Sequence, residues 1–109
     1  MIRVYVAGPM FSSGRLTHNV SEGLRMYHDL IDLDYFPYLP HFGVHADIYR
    51  PRPESEWLAL DKAYLSVCDA LIRLPGFSRG ADLEEQWCKE FGIPVFHSLE
   101  ALEQWRNER

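Results

Sequence analysis

With 109 residues, 47% apolar and 25% charged, the chain has the length for one domain around one core and the composition of an ordinary folded protein, which excludes wholesale disorder. Its net charge of −5 speaks against nucleic-acid binding, which needs clustered Lys and Arg; Arg50 and Arg52 are the one local basic group, and such pairs are usually solvated. No apolar run approaches the roughly 18 residues of a membrane helix, and the first residues read directly as a strand, so a cytoplasmic protein without membrane contact is expected.

The elements alternate along the whole chain. A strand is predicted at about residues 2–7, a helix at 18–33 with its stripe at Val20, Leu24, Tyr27, Leu30 and Ile31, and a short strand at 35–39. A helix at 54–68, a strand at 70–74, a helix at 81–91 ended by Gly92-Ile93-Pro94, a strand at 94–96 and a last helix from about Leu99 complete the order. Four β-then-α units in a single domain imply a parallel sheet of four to five strands covered by helices on both faces, a three-layer α/β sandwich.

Two acids stand where apolar residues belong. In the 54–68 helix, a period of 3.6 puts Trp57, Leu58, Tyr64, Leu65 and Cys68 on the face of Asp61. In 81–91, Leu83, Trp87, Cys88 and Phe91 form a stripe with Glu84 in its middle, while Asp82, Glu85, Gln86 and Lys89 make the wet face. An inward acid costs several kcal/mol or takes up a proton unless it has a partner, a ligand or a catalytic task. The end of the Glu84 helix lowers its pKa and burial raises it, and the sequence leaves that balance open.

In an open parallel sheet a ligand sits beyond the carboxyl ends of the strands, which directs attention to three loops, 8–19, 40–53 and 75–80. The first supplies Gly8 and Gly14 for close backbone approach, the hydroxyls of Ser12 and Ser13, and Arg15, all ahead of a helix N-terminus; these are parts of an anion site, and a plain turn explains them equally well. It contains neither GxGxxG nor a Walker sequence. The third turns at Pro75-Gly76 and reaches Ser78, which reads as a helix cap or a ligand hydroxyl. In the second, His41, Phe42 and Trp57 are candidates for choosing a ring ligand, and Trp57 packing on the sheet is the plainer alternative. Pro40 and Gly43 argue against a helix that would pair His41 with His45, so no metal site is expected. Cys68 and Cys88 match neither a redox nor a zinc spacing and are expected reduced and structural; Asp69 is expected to close a turn.

The segments 4-VYVAGPM-10, Asp61 with Asp69 eight residues on, 78-SRGADLE-84 and 92-GIPV-95 resemble the nucleoside 2-deoxyribosyltransferase family, including its nucleoside 5′-monophosphate N-glycosidases. The resemblance spans nearly the whole chain and implies a flavodoxin/Rossmann-like fold that cleaves the bond between nucleobase and sugar. It implies Glu84 as the nucleophile, Tyr5 as the tyrosine that positions it and Asp61 as the acid near base and sugar. It places Gly8, Pro9, Ser12, Ser13, Arg15, Ser78 and Gly80 around a 5′-phosphate or sugar. Ser78 stands where the true transferases carry a carboxylate, so hydrolysis is preferred to transfer. A homodimer or larger assembly is implied, a nucleoside or nucleotide is the implied small-molecule partner, and no cofactor follows.

Two other readings stand beside this one. The first is a non-catalytic nucleotide-binding or regulatory module on the same fold. The second is an interaction protein whose inward acids are structural partners of Arg15, Arg73 or Arg79.

Overall fold

A computed structural model describes residues 1–11 and 14–109. Four parallel strands, β1 (Arg3–Ala7), β2 (Phe36–Tyr38), β3 (Ala70–Arg73) and β4 (Val95–Phe96), form a sheet in the order β2-β1-β3-β4. Five helices flank it: α1 (Leu16–Asp32), α2 (Gly43–Tyr49), α3 (Glu54–Leu65), α4 (Arg79–Phe91) and α5 (Leu99–Asn107). This is the flavodoxin/Rossmann-like three-layer arrangement expected from the β-then-α alternation.

The pleat of β1 explains the two layers. Val4 and Val6 point to one face, where they join Ala70, Ile72, Leu74, Leu30 of α1 and Leu102 of α5; Tyr5 and Ala7 point to the other, where they join Leu71, Leu65 of α3 and Ala81, Trp87 and Cys88 of α4. Each central strand is apolar on both sides because both are covered. α4 is bounded as its sequence dictates: the Ser78 hydroxyl accepts from the Ala81 N–H at 3.0 Å, and Gly92, at φ +72°, takes the left-handed turn that ends it.

Three expectations need correction. The second loop contains a short helix, because Pro40 opens a single 3-10 turn over Pro40–Phe42, where a proline ring costs no hydrogen bond, and α2 follows directly from Gly43. Ile31 and Tyr64 lie outside the core, 43% and 50% exposed, both lining a groove that runs along the edge strand β2. Glu85 is not merely solvated, since Arg73 holds it at 2.6 Å. Cys68 and Cys88 are free and buried, and Asp69 accepts from the Arg3 N–H at 2.8 Å, anchoring the start of β1. Among the described residues no helix is long and apolar enough to cross a membrane.

Candidate functional site

Beyond the carboxyl ends of the strands a cleft of about 940 Å³ opens between the loop after β1, the segment from Leu39 to Asp61 and the start of α4. It lies where the strand order reverses, between β1 and β3, and there the loops leaving the two strands diverge and leave a crevice. A second groove of about 750 Å³ follows the β2 edge past Ile31, Phe36, Tyr64 and Val67, and contains neither Asp61 nor Glu84.

Pro9 is the junction of all three loops. The His41 Nε2 lies 2.9 Å from its carbonyl oxygen, and its ring sits against Gly76, where a Cβ would come within 2.9 Å. Gly76 has φ +115°, so glycine is required there on both counts. One residue earlier, a Cβ on Gly8 would stand 2.8 Å from the Leu74 Cβ, so only glycine lets the loop cross the end of β3 this closely. Asn19 of α1 donates to the Met10 carbonyl at 2.9 Å and holds the far side of the same loop.

Glu84 lies at the bottom of the cleft, 8% exposed, on the inward stripe of α4. Its carboxyl accepts a hydrogen bond from the hydroxyl of Tyr5, which is wholly buried on β1. Burial first, then the Glu84 and Asp61 charges, push Tyr5 far above its usual range, so its hydroxyl remains a donor. α4 begins at Arg79, which puts Glu84 in the second turn, not the first, and the field of a helix end fades within one turn. Burial therefore wins the balance that the sequence left open. It raises Glu84 to about 8, with Asp61 adding to the rise and the Tyr5 hydrogen bond and Arg73 opposing it.

Asp61 projects from α3 into the same cleft and is half-buried rather than enclosed. Burial lifts it to about 6, and a hydrogen bond from the Tyr38 hydroxyl at 3.1 Å pulls it back down. The sheet register sets Tyr38 opposite Tyr5, their ring centroids 5.4 Å apart, and Tyr38 stacks on Tyr64 at 4.9 Å. Two tyrosine–carboxyl pairs thus stand side by side on one face of the sheet. Neither Asp61 nor Glu84 forms a salt bridge among the described residues. Arg73, only 13% exposed along its side chain, spends its bonds on Asp82, Glu85 and the Gly76 carbonyl, clamping the third loop to α4.

The remaining sequence candidates divide. Gly8, His41, Trp57, Ser78 and Gly80 line the cleft. Pro9 does not; it sets the loops. Arg15 is exposed ahead of α1 and does not line the cleft, while Ser12 and Ser13 lie outside the described residues. His41 is 2% exposed, and because a carbonyl only accepts, its Nε2 carries the proton; burial lowers its pKa and keeps the ring neutral. Trp57 is part-buried and belongs to neither core cluster. Its Nε1–H donates to Asp47 at 2.8 Å and pins α2 to α3 across the rim. Sequence reasoning missed Tyr38 and Asp47, whose partners are fixed by sheet register and by a helix that loop composition concealed. No group of His, Cys, Asp and Glu that could hold a metal ion occurs among the described residues.

No protein-family model, curated protein or solved structure matches this chain.

Proposed function

We propose that the protein cleaves the N-glycosidic bond of a nucleoside or nucleoside 5′-monophosphate, with Glu84 as nucleophile and Asp61 as proton donor, in the manner of the nucleoside 2-deoxyribosyltransferases that its motifs resemble. The observation that carries the proposal is the buried Glu84 carboxyl, held by Tyr5 and facing the same cleft as Asp61. A Glu84 oxygen attacks the anomeric carbon as the bond to the base nitrogen breaks, and the bonding pair leaves with the base, which Asp61 protonates. Water, losing its proton to Asp61, then opens the glycosyl ester and restores both acids. A second base in place of water gives transfer. Hydrolysis is preferred because Ser78 stands where the transferases that the motifs resemble carry a carboxylate; its hydroxyl accepts from the Ala81 N–H and still has an O–H to donate to a phosphate oxygen.

The second reading, a nucleotide-binding or regulatory module, draws on the same raised Glu84, since a protonated acid binds without attacking. Incubation with a panel of ribo- and deoxyribonucleosides and their 5′-monophosphates, with and without an acceptor base, tests both, with released base read by chromatography beside Glu84→Gln. Base released by the wild type alone supports the enzyme. Retained ligand binding with no release from any member of the panel overturns it in favour of the module.

A further inference from the structure

We infer that Tyr38 is a positioning residue of this site: its hydroxyl orients Asp61 as the Tyr5 hydroxyl orients Glu84, and the stacked rings fix the two carboxyl groups relative to each other. The inference rests on the proposed glycosidic cleavage for its functional meaning and on geometry for its substance.

Three relationships carry it. The Tyr38 hydroxyl lies 3.1 Å from Asp61 Oδ1, and it is the hydrogen bond that Asp61 makes from β2 across to α3. The parallel register pairs Tyr38 with Tyr5, so both rings leave the sheet on the same side and touch. On its other face Tyr38 lies nearly parallel to Tyr64, at 10°, and is sandwiched between one wholly buried ring and one half-exposed ring. A ring held from both sides has little freedom to swing its hydroxyl, so the carboxyl that accepts from it inherits a fixed orientation. A proton donor to a departing base needs that, because transfer requires a defined approach.

The groups around Asp61 come from every neighbouring element. Tyr5 faces it from β1, Tyr38 from β2 and Glu84 from α4; Arg79, Asp47, Arg52 and Glu54 are the other charged side chains lining the cleft. Of these, Tyr38 donates to it directly. Tyr38 itself is raised well above its usual range, first by burial and then by Asp61, so it stays a neutral donor.

The test is a carbon-13 NMR titration of the Asp61 carboxyl in the ligand-free protein, assigned with Asp61→Asn, in wild type, Tyr38→Phe and Tyr64→Phe. Tyr38→Phe keeps the ring and removes the donor, so the Asp61 midpoint is expected to rise by about one pH unit, the size of one neutral donor's bond to a carboxylate. Tyr64→Phe, which keeps the stack, is expected to leave it in place. An unmoved midpoint in Tyr38→Phe, or an equal shift in Tyr64→Phe, overturns the inference. The rate of base release supplies the second arm: the rising limb of its pH profile should move upward with the Asp61 midpoint in Tyr38→Phe, and a limb that stays put while the midpoint moves overturns the positioning role. If no substrate releases base, the glycosidase proposal fails alone, and the titration still decides whether Tyr38 governs Asp61.

Discussion

Tyr5 and Glu84, 79 positions apart in the chain, meet hydroxyl to carboxyl at the floor of the cleft, the tyrosine wholly buried and the acid nearly so. The tyrosine comes from the central strand and the acid from the helix that packs over it, so the pair is as well fixed as anything in the fold. Tyr5→Phe preserves the buried ring and deletes the donor. Because that bond opposes the upward pull of burial, the Glu84 midpoint should rise above about 8, and base release should fall about 100-fold, the usual cost of losing one donor to a reacting group. Titration and initial rates on the same samples check both.

Asp61 and Glu84 share one cleft and feel each other, so they titrate as a pair with midpoints near 6 and 8. Between these values the pair holds one proton, mainly on Glu84 as the group with the higher midpoint, so the arrangement the proposed reaction needs, Glu84 ionised and Asp61 protonated, is the minor of the two, and its share of the enzyme is greatest between the two midpoints. Base release should therefore follow a bell with limbs near pH 6 and pH 8. A rate that climbs steadily through pH 9 excludes the assignment of roles.

Stability should fall with rising pH over the same interval. The folded values of Glu84 and Asp61 both lie above their unfolded ones, near 4.5 and 3.8, so the folded state binds protons more tightly. Their contribution is full below about pH 4 and is lost as pH rises through 6 for Asp61 and 8 for Glu84, a few kcal/mol in all. Thermal melts from pH 5 to 9 should show the decline, and Glu84→Gln should flatten its upper part while retaining the fold. A melting temperature that collapses in Glu84→Gln at pH 7 points instead to a structural role for the acid.

Ser78→Ala separates cap from ligand contact. Loss of the bond to the Ala81 N–H should cost about 1 kcal/mol of stability whatever the function. A phosphate contact adds a second effect, a rise in KM for 5′-monophosphates that the matching nucleosides do not share.

Trp57→Phe keeps an aromatic ring on the cleft wall and removes the Nε1–H that Asp47 accepts. With α2 less firmly tied to α3, KM should rise about tenfold, the value of one hydrogen bond to a charged group, while kcat changes little.

The strands and four of the helices were legible because each declares itself locally: Val4 and Val6 alternate with Tyr5 and Ala7, and Ser78 and Gly92 bracket α4. Glu84 was legible for the same reason, as an acid on an apolar stripe. Tyr38 was not, because the sequence 35-YFPYL-39 shows a strand but not its register, and a shift of one residue would have turned its hydroxyl to the opposite face. α2 was hidden by Pro40 and Gly43, which read as breakers when counted by type; the proline in fact occupies the first position of a 3-10 turn, where it is tolerated. Arg73 was legible as a cation but not as a clamp, since its partners Asp82 and Glu85 sat on what reads as the solvated face of α4.

The knot of contacts at Pro9 divides the cleft into parts with different tolerance of change. Its floor, from Gly8 to Gly76 to Glu84, is interlocked through glycines that admit no side chain, and any drift there disturbs all three loops together. In the wall from Val44 to Pro53, Asp47 accepts from the Trp57 Nε1–H and from the Arg52 N–H, bonds that do not involve the floor. Such a wall can be exchanged, lengthened or re-sequenced as a cassette. Evolution or a designer seeking a different ring in the cleft has a replaceable part of about ten residues there, mounted on machinery that need not move.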